Sequence, residues 1–261
     1  MKEISEFHEF TWDMIRAMPK AYHQHSIGNK VKVNCKKGLS ELYYFADETE
    51  ESDRFDAHND SVSYTNKAPE YTKVDWTPPP LKEKFGKFIK FSKPTVVIQN
   101  KYSLEWNQGM FNFYPTEVLG ELFGYLKENY DIVYIRPKGD DSRYYKDENE
   151  IQEFKDFEYI AKEHPYVYTI DKFRKLYPQF SYNIMQLMLQ ATADKHLTVS
   201  GGNACLSAYF GGDVIIYDSP LGKGAGRGVW QTDSWLSKLG GANIIGMNNH
   251  QDIINKVKQI W

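Results

Sequence analysis

The chain is short of cysteine, with two in 261 residues, Cys35 and Cys205. They lie far apart in different segments, which argues against a disulfide framework and predicts free thiols in a reducing compartment. Long apolar runs are missing as well. No stretch approaches the roughly 20 residues that a membrane-spanning helix needs. The opening MKEISEFHEF lacks the basic and apolar regions of a leader peptide. These absences predict a cytoplasmic protein with no membrane span. An excess of positive charge is also lacking: 32 Lys and Arg stand against 35 Asp and Glu, a net charge of -3. No global field draws the chain to a phosphate backbone, so nucleic acid is not an expected partner and any anion site has to be local. His164, His196 and His250 have no metal-ligand spacing and form no cluster with the cysteines. The expectation is therefore no metal and no obligate cofactor.

What the chain has is apolar content, 41% hydrophobic, and aromatic rings, including 19 Tyr and 6 Trp. That is enough for one large core or two smaller ones. Aromatic rings fill cores and stack on the apolar faces of sugars alike.

Residues 93–261 carry a regular rhythm. Apolar, β-branched runs recur as TVVIQN, IVYIRP, YVYTI, LTVSG, DVIIYD and ANIIGM, separated by segments of helical spacing such as PTEVLGELFGYLKENY, with apolar residues at 118, 119, 122, 123 and 126. Short continuous apolar strands alternating with helices predict a parallel sheet covered on both faces. The reading is an α/β chain: a six-stranded Rossmann-like domain over 93–261, preceded by a reduced α/β domain over 1–92. In the latter, FTWDMIRAMPKAYHQHS reads as a helix, KVKVNC as a strand, and the acidic ADETEESDRFDAHND as a solvated loop. The prolines of VDWTPPP mark a hinge.

In an open parallel sheet, ligands bind beyond the carboxyl ends of the strands, where helix N-termini direct N–H groups outward. Asn100, Lys101 and Tyr102 follow the first strand, and Arg136 and Lys138 follow the second. Asn183 and Gln186 open the helix before the fourth strand, and Ser200, Gly201, Gly202 and Asn203 follow that strand. These residues make a candidate diphosphate site. The cations read equally as surface charges, the two glycines as a turn needing positive φ or close helix packing, and Asn203 as a helix cap. The alternating glycines of LGKGAGRGVW match no phosphate-loop pattern. They form a plain loop or a flap bringing Lys223 and Arg227 to an anion. Asp140 and Asp141 resemble only loosely the acidic pair of metal-dependent sugar transferases. Near the N-terminus, EFHEFTWDM gathers Glu6, His8, Glu9 and Asp13 at a helix start, as general-base candidates or as carboxylates complementing a helix dipole.

Two Rossmann-like halves, a proline hinge and an anion site in the second half resemble the GT-B class of glycosyltransferases. VVIQNKYSLEWNQGMFNFY, VYIRP, FSYNIMQLML and VSGGNACLSAYFGG are similar to segments of bacterial and large-virus sugar transferases distantly related to heptosyl- and fucosyltransferases, chlorovirus xylosyltransferases among them. HEFTWDM resembles a GEFGWEL-like stretch that opens their acceptor-side domain, with Glu9, Trp12 and Asp13 at matching places and His8 and Thr11 where glycines stand. The resemblance implies a metal-independent, inverting transferase that uses a UDP- or GDP-sugar, UDP-xylose included, as co-substrate and an oligosaccharide or glycoconjugate as acceptor. It implies Glu9, Asp13 or His8 as catalytic base. Asn100, Lys101, Tyr102, Arg136, Lys138, Asn183, Gln186, Ser200, Gly201, Gly202 and Asn203 would hold the donor, and Trp12, Trp106 and Asn107 the acceptor. A nucleotide-sugar epimerase or hydrolase of the same fold, or a non-catalytic carbohydrate-binding protein, are the alternatives.

Overall fold

A computed structural model describes residues 1–8, 10–54, 56, 65–104, 109–138, 150–221 and 226–261. The six apolar runs are all strands of one parallel sheet: β4 (Thr95–Gln99), β6 (Asp131–Ile135), β8 (Tyr168–Thr169), β9 (Lys195–Val199), β10 (Asp213–Tyr217) and β11 (Asn243–Met247). Their order is β11-β10-β9-β4-β6-β8. The chain therefore builds outward from β4 in one direction and then returns to β9 on its other side. The boundary between β4 and β9 is the switch point of a doubly wound sheet, where the loops beyond the strand ends diverge and leave a crevice.

Alternation along β4 sends Val96 and Ile98 to one face and Val97 to the other. On the first face they meet α4 (Thr116–Leu126) and α10 (His250–Ile260) through Leu119, Leu122, Phe123, Ile253 and Val257. On the second they meet α6 (Ile170–Leu176), α7 (Tyr182–Gln190) and α8 (Gly202–Ala208). A short α5 (Asp156–Glu163) follows a two-stranded antiparallel pair, β5 (Ser103–Leu104) with β7 (Glu150–Ile151), and α9 (Ser237–Gly240) precedes β11.

The first half of the chain forms a separate three-stranded parallel sheet, β1 (Lys2–Ser5), β2 (Val31–Lys36) and β3 (Glu48–Ser52), in the order β1-β2-β3. Strand β3 corrects the reading of the acidic stretch as a loop. Its four leading side chains are exposed, and Lys32 on β2 pairs with Glu50 at 2.9 Å. A charged edge strand needs no apolar alternation, because only its backbone joins the sheet. Between β1 and β2 runs a helix in three parts: α1 (Phe10–Trp12), a π-helical turn at Asp13–Ala17, and α2 (Met18–Ser26). Beyond the prolines, α3 (Leu81–Phe85) packs on α7.

One hydrophobic cluster joins the two sheets, running from Met14, Ile15, Met18, Val31 and Val33 to Val97, Met185, Ala204 and Leu206. Tyr209, the residue that follows α8, donates to the Met14 carbonyl at 2.5 Å across this seam. Cys35 and Cys205 are free and buried. Among the described residues, no helix is long and apolar enough to cross a membrane.

Candidate active site at the strand ends

The backbone after β9 turns through Gly201, at φ 119° and ψ -161°, a conformation essentially reserved for glycine. The Lys101 ammonium, carried by the segment after β4, lies 3.5 Å from where a Cβ on Gly201 would stand, and donates to the Ser200 carbonyl at 3.2 Å. A cation is thus held directly against the turn at the switch point. Gly202 has a different reason to lack a side chain. A Cβ there would collide with the ring of Phe10 on α1. Gly201 caps α8, so Asn203, buried inside its first turn, is not the helix cap.

Two further residues complete this cluster. Asn112 donates to the Ser200 carbonyl at 3.0 Å and to its hydroxyl at 2.7 Å, and its own oxygen accepts from the Ser219 amide at 3.5 Å, tying the ends of β9 and β10 together. Asp218, at the end of β10, accepts from the Gly226 amide at 3.1 Å and from Gln231 at 3.5 Å. Burial pushes the Asp218 carboxyl above the usual range, opposed by the Ser200 hydroxyl, the Gly226 amide, Arg227 and Lys101. Arg227 and Lys101 therefore act on the same carboxylate. No periodic pattern announces Asn112; its position matters only once three strand ends meet.

Other expected donor residues are engaged elsewhere. Arg136 is 3% exposed, with Nε and Nη2 donating to Asp156 at 2.5 and 2.7 Å and the rest of the guanidinium to the Pro137 and Phe154 carbonyls. Its planar fork is matched to a carboxylate of its own chain, so it does not present itself to a diphosphate. Lys138 pairs with Asp171 and lies 4.3 Å from the centroid of the Phe157 ring. Asn100 is fully buried and satisfied: its amide donates to the Tyr114 carbonyl and the Tyr134 hydroxyl, both at 3.0 Å, and its oxygen accepts from the Lys101 and Tyr114 amides. Tyr102 stacks on Phe154 at 4.6 Å between centroids, with Phe113 edge-on. Asn183 donates to the Gly38 carbonyl, and Gln186 donates to Asn183 at 3.4 Å. Both are buried in the seam between the sheets.

On the opposite side of the seam, Asp13 opens the π turn. Such turns recur at functional sites because the extra residue re-aims side chains. The Asp13 carboxyl is fully buried. Its Oδ1 accepts from the Tyr43 hydroxyl at 2.5 Å, and its Oδ2 has no hydrogen-bond partner among the described residues. Burial raises the affinity of this carboxyl for a proton well above the ordinary value. The Tyr43 hydrogen bond opposes that shift, Glu6 adds to it and Lys36 opposes it. His8 pairs through Nδ1 with Glu6 and is the more exposed candidate. Trp12 is 3% exposed, with the Arg16 guanidinium 5.9 Å from its ring centroid, so it is a packed side chain rather than an open platform. Glu9, Trp106, Asn107, Asp140, Asp141 and Lys223 lie outside the described residues. Among those described, no group of three or more His, Cys, Asp or Glu is arranged to hold a metal ion.

No protein-family profile matches the chain, and no curated protein matches it. Solved structures do. The chain superposes on ADP-heptose LPS heptosyltransferase II of E. coli with a TM-score of 0.61 at 10% identity, covering 99% of this chain and 98% of that one. It superposes on a family 9 glycosyl transferase of Veillonella parvula with a TM-score of 0.55 at 7% identity, covering 99% and 89%. The fold is GT-B. At these identities the likeness is one of backbone architecture, and roles for residues rest on the geometry above.

Proposed function

We propose that this protein is a glycosyltransferase that moves a sugar from a nucleotide-diphosphate donor to a hydroxyl of an oligosaccharide or glycoconjugate, with inversion and without a metal. The observation that carries the proposal is Lys101, a half-buried cation pressed against the Gly201 turn at the switch point of the larger sheet. In a GT-B fold that crevice is where a donor diphosphate would lie, with the first amides of α8 directed at it. Lys101 and Arg227 would neutralise the leaving group.

In the proposed step, the acceptor hydroxyl gives its proton to Oδ2 of Asp13 while its oxygen attacks the anomeric carbon. The bond from that carbon to the diphosphate oxygen breaks, and its electron pair leaves with the diphosphate beside Lys101. A carboxylate held in an apolar seam is a stronger base than one in water, which suits this task. Because Asp13 is covered, acceptor binding has to displace the residues over it. Residues 1–92 would carry the acceptor side and 93–261 the donor side. His8 and Glu9 remain the other candidates for the base.

The donor nucleotide is UDP or GDP by sequence resemblance, and the name of the E. coli neighbour adds ADP-heptose. The test is a panel of UDP-, GDP- and ADP-sugars, xylose and heptose included, read by thermal shift and by release of nucleoside diphosphate. Lys101→Ala should leave the melting temperature within a degree or two and lower turnover about 10²–10³-fold. No response of the wild type to any nucleotide-sugar would sink the reading, and release of diphosphate without acceptor, unaltered by any glycan, would mark a hydrolase instead.

A further inference from the structure

We propose that Tyr43 is a positioning residue for proton transfer: its hydroxyl holds Oδ1 of Asp13 and leaves Oδ2 as the oxygen that takes the acceptor's proton. The inference rests on the transferase reading above and extends it to a residue outside the sequence motif that contains Asp13.

The geometry is specific. Tyr43 is 1% exposed and ends a 3-10 turn at Ser40–Tyr43. That turn is fixed from the other half of the molecule: Ser181, the cap of α7, bonds Glu41, and Asn183 on α7 donates to the Gly38 carbonyl. The hydroxyl therefore meets Asp13 from a direction set by the seam between the sheets and not by a mobile side chain. At 2.5 Å the bond has the length of a hydroxyl donating to a charged carboxylate. Fixing one oxygen removes rotation of the carboxylate, and the second oxygen is left without a donor among the described residues.

The bond also keeps the base usable. Burial favours the protonated form of Asp13, and a protonated carboxyl cannot take up the acceptor's proton. Among the described residues, the charged and titratable groups around it are Glu6 after β1, Cys35 and Lys36 at the end of β2, and Tyr43. Glu6 favours protonation, and Cys35, pushed up to about 12 by burial, stays a neutral thiol. Tyr43 and Lys36 are the groups that favour the ionised form, and Tyr43 has the larger effect.

The experiment follows the Asp13 carboxyl by ¹³C NMR across pH in the full-length protein labelled at aspartate, beside the pH profile of nucleotide-sugar turnover. Tyr43→Phe is expected to raise the Asp13 titration by about one to two pH units, the size of a hydrogen bond to a charged group, and to move the acid limb of turnover by the same amount. Placing 3,5-difluorotyrosine at position 43 keeps the ring, strengthens the donor and should shift both downward, which covers the case where the Phe variant folds poorly. An Asp13 titration unmoved by both changes overturns the inference, whatever happens to thermal stability. A titration that moves while the wild type turns over no nucleotide-sugar overturns the transferase reading but not the coupling of Tyr43 to Asp13.

Discussion

The ring of Phe10 occupies the space that a Cβ on Gly202 would need. Through this pair the helix that carries Asp13 is seated on the first turn of α8, next to the Lys101 cation. Gly202→Ala should therefore cost about 1–3 kcal/mol by overpacking. Phe10→Leu in the same chain should recover part of that loss. Denaturant unfolding of the two single variants and the double measures the coupling, and strict additivity would show that the two residues do not share the space.

Arg136 and Asp156 form a buried, bidentate pair with Tyr134 also bonded to the carboxylate at 2.5 Å. Removing one partner strands the other charge, so Arg136→Met or Asp156→Leu should each destabilise by about 3–5 kcal/mol, and the double variant by less than the sum. Lys101→Ala should show the reverse pattern, with near-native stability and lost donor response. Thermal melts with and without nucleotide-sugars separate the two.

Asp13 binds its proton more tightly in the fold than in the unfolded chain, where the ordinary value of 3.8 applies. Between that value and the raised one the native state holds the extra proton, so stability falls as pH rises through this window. Asp13→Asn removes the ionisation and keeps an acceptor for Tyr43. It should melt higher than wild type at pH 7 to 8, with the gain shrinking towards pH 4, while sugar transfer is lost. Melting curves across pH test the sign directly.

His196 gives the opposite dependence. It is fully buried on β9, its ring nitrogens have no well-formed hydrogen bond among the described residues, and burial pushes its pKa from 6.5 to about 3. The Lys82 charge adds to the shift. The unfolded chain takes up a proton that the native state refuses, so stability is lost as pH falls below about 6.5, by up to about 1.4 kcal/mol per pH unit. His196→Phe removes this linkage, and its acid unfolding midpoint should lie at lower pH than that of wild type.

The six strands of the larger sheet and the helices between them were legible because strand and helix periodicity is local: TVVIQN or DVIIYD carries its own burial pattern. The strand-end rule named Lys101, Ser200 and Gly201 as candidates because the residues that follow parallel strands share one edge of the sheet. The strand order that sets the switch point came only from the fold. Strand β3 was illegible because an edge built from Glu48, Thr49, Glu50 and Glu51 buries no side chain.

The sequence by itself determined the α/β class, the alternation of strand and helix, and which residues stand at strand ends. Only the tertiary structure decided which of those residues remain available. Arg136 looks equivalent to Lys101 until Asp156, twenty positions on, closes on it; Asn183 looks like a ligand amide until the Gly38 carbonyl of the other half takes its donor. Tyr43 gains meaning only when a second segment brings it to Asp13. The physical reason is common to all three. Periodicity depends on neighbours along the chain, whereas the partner of a charge or an amide is whatever group the fold brings within about 3 Å, and no local pattern encodes that.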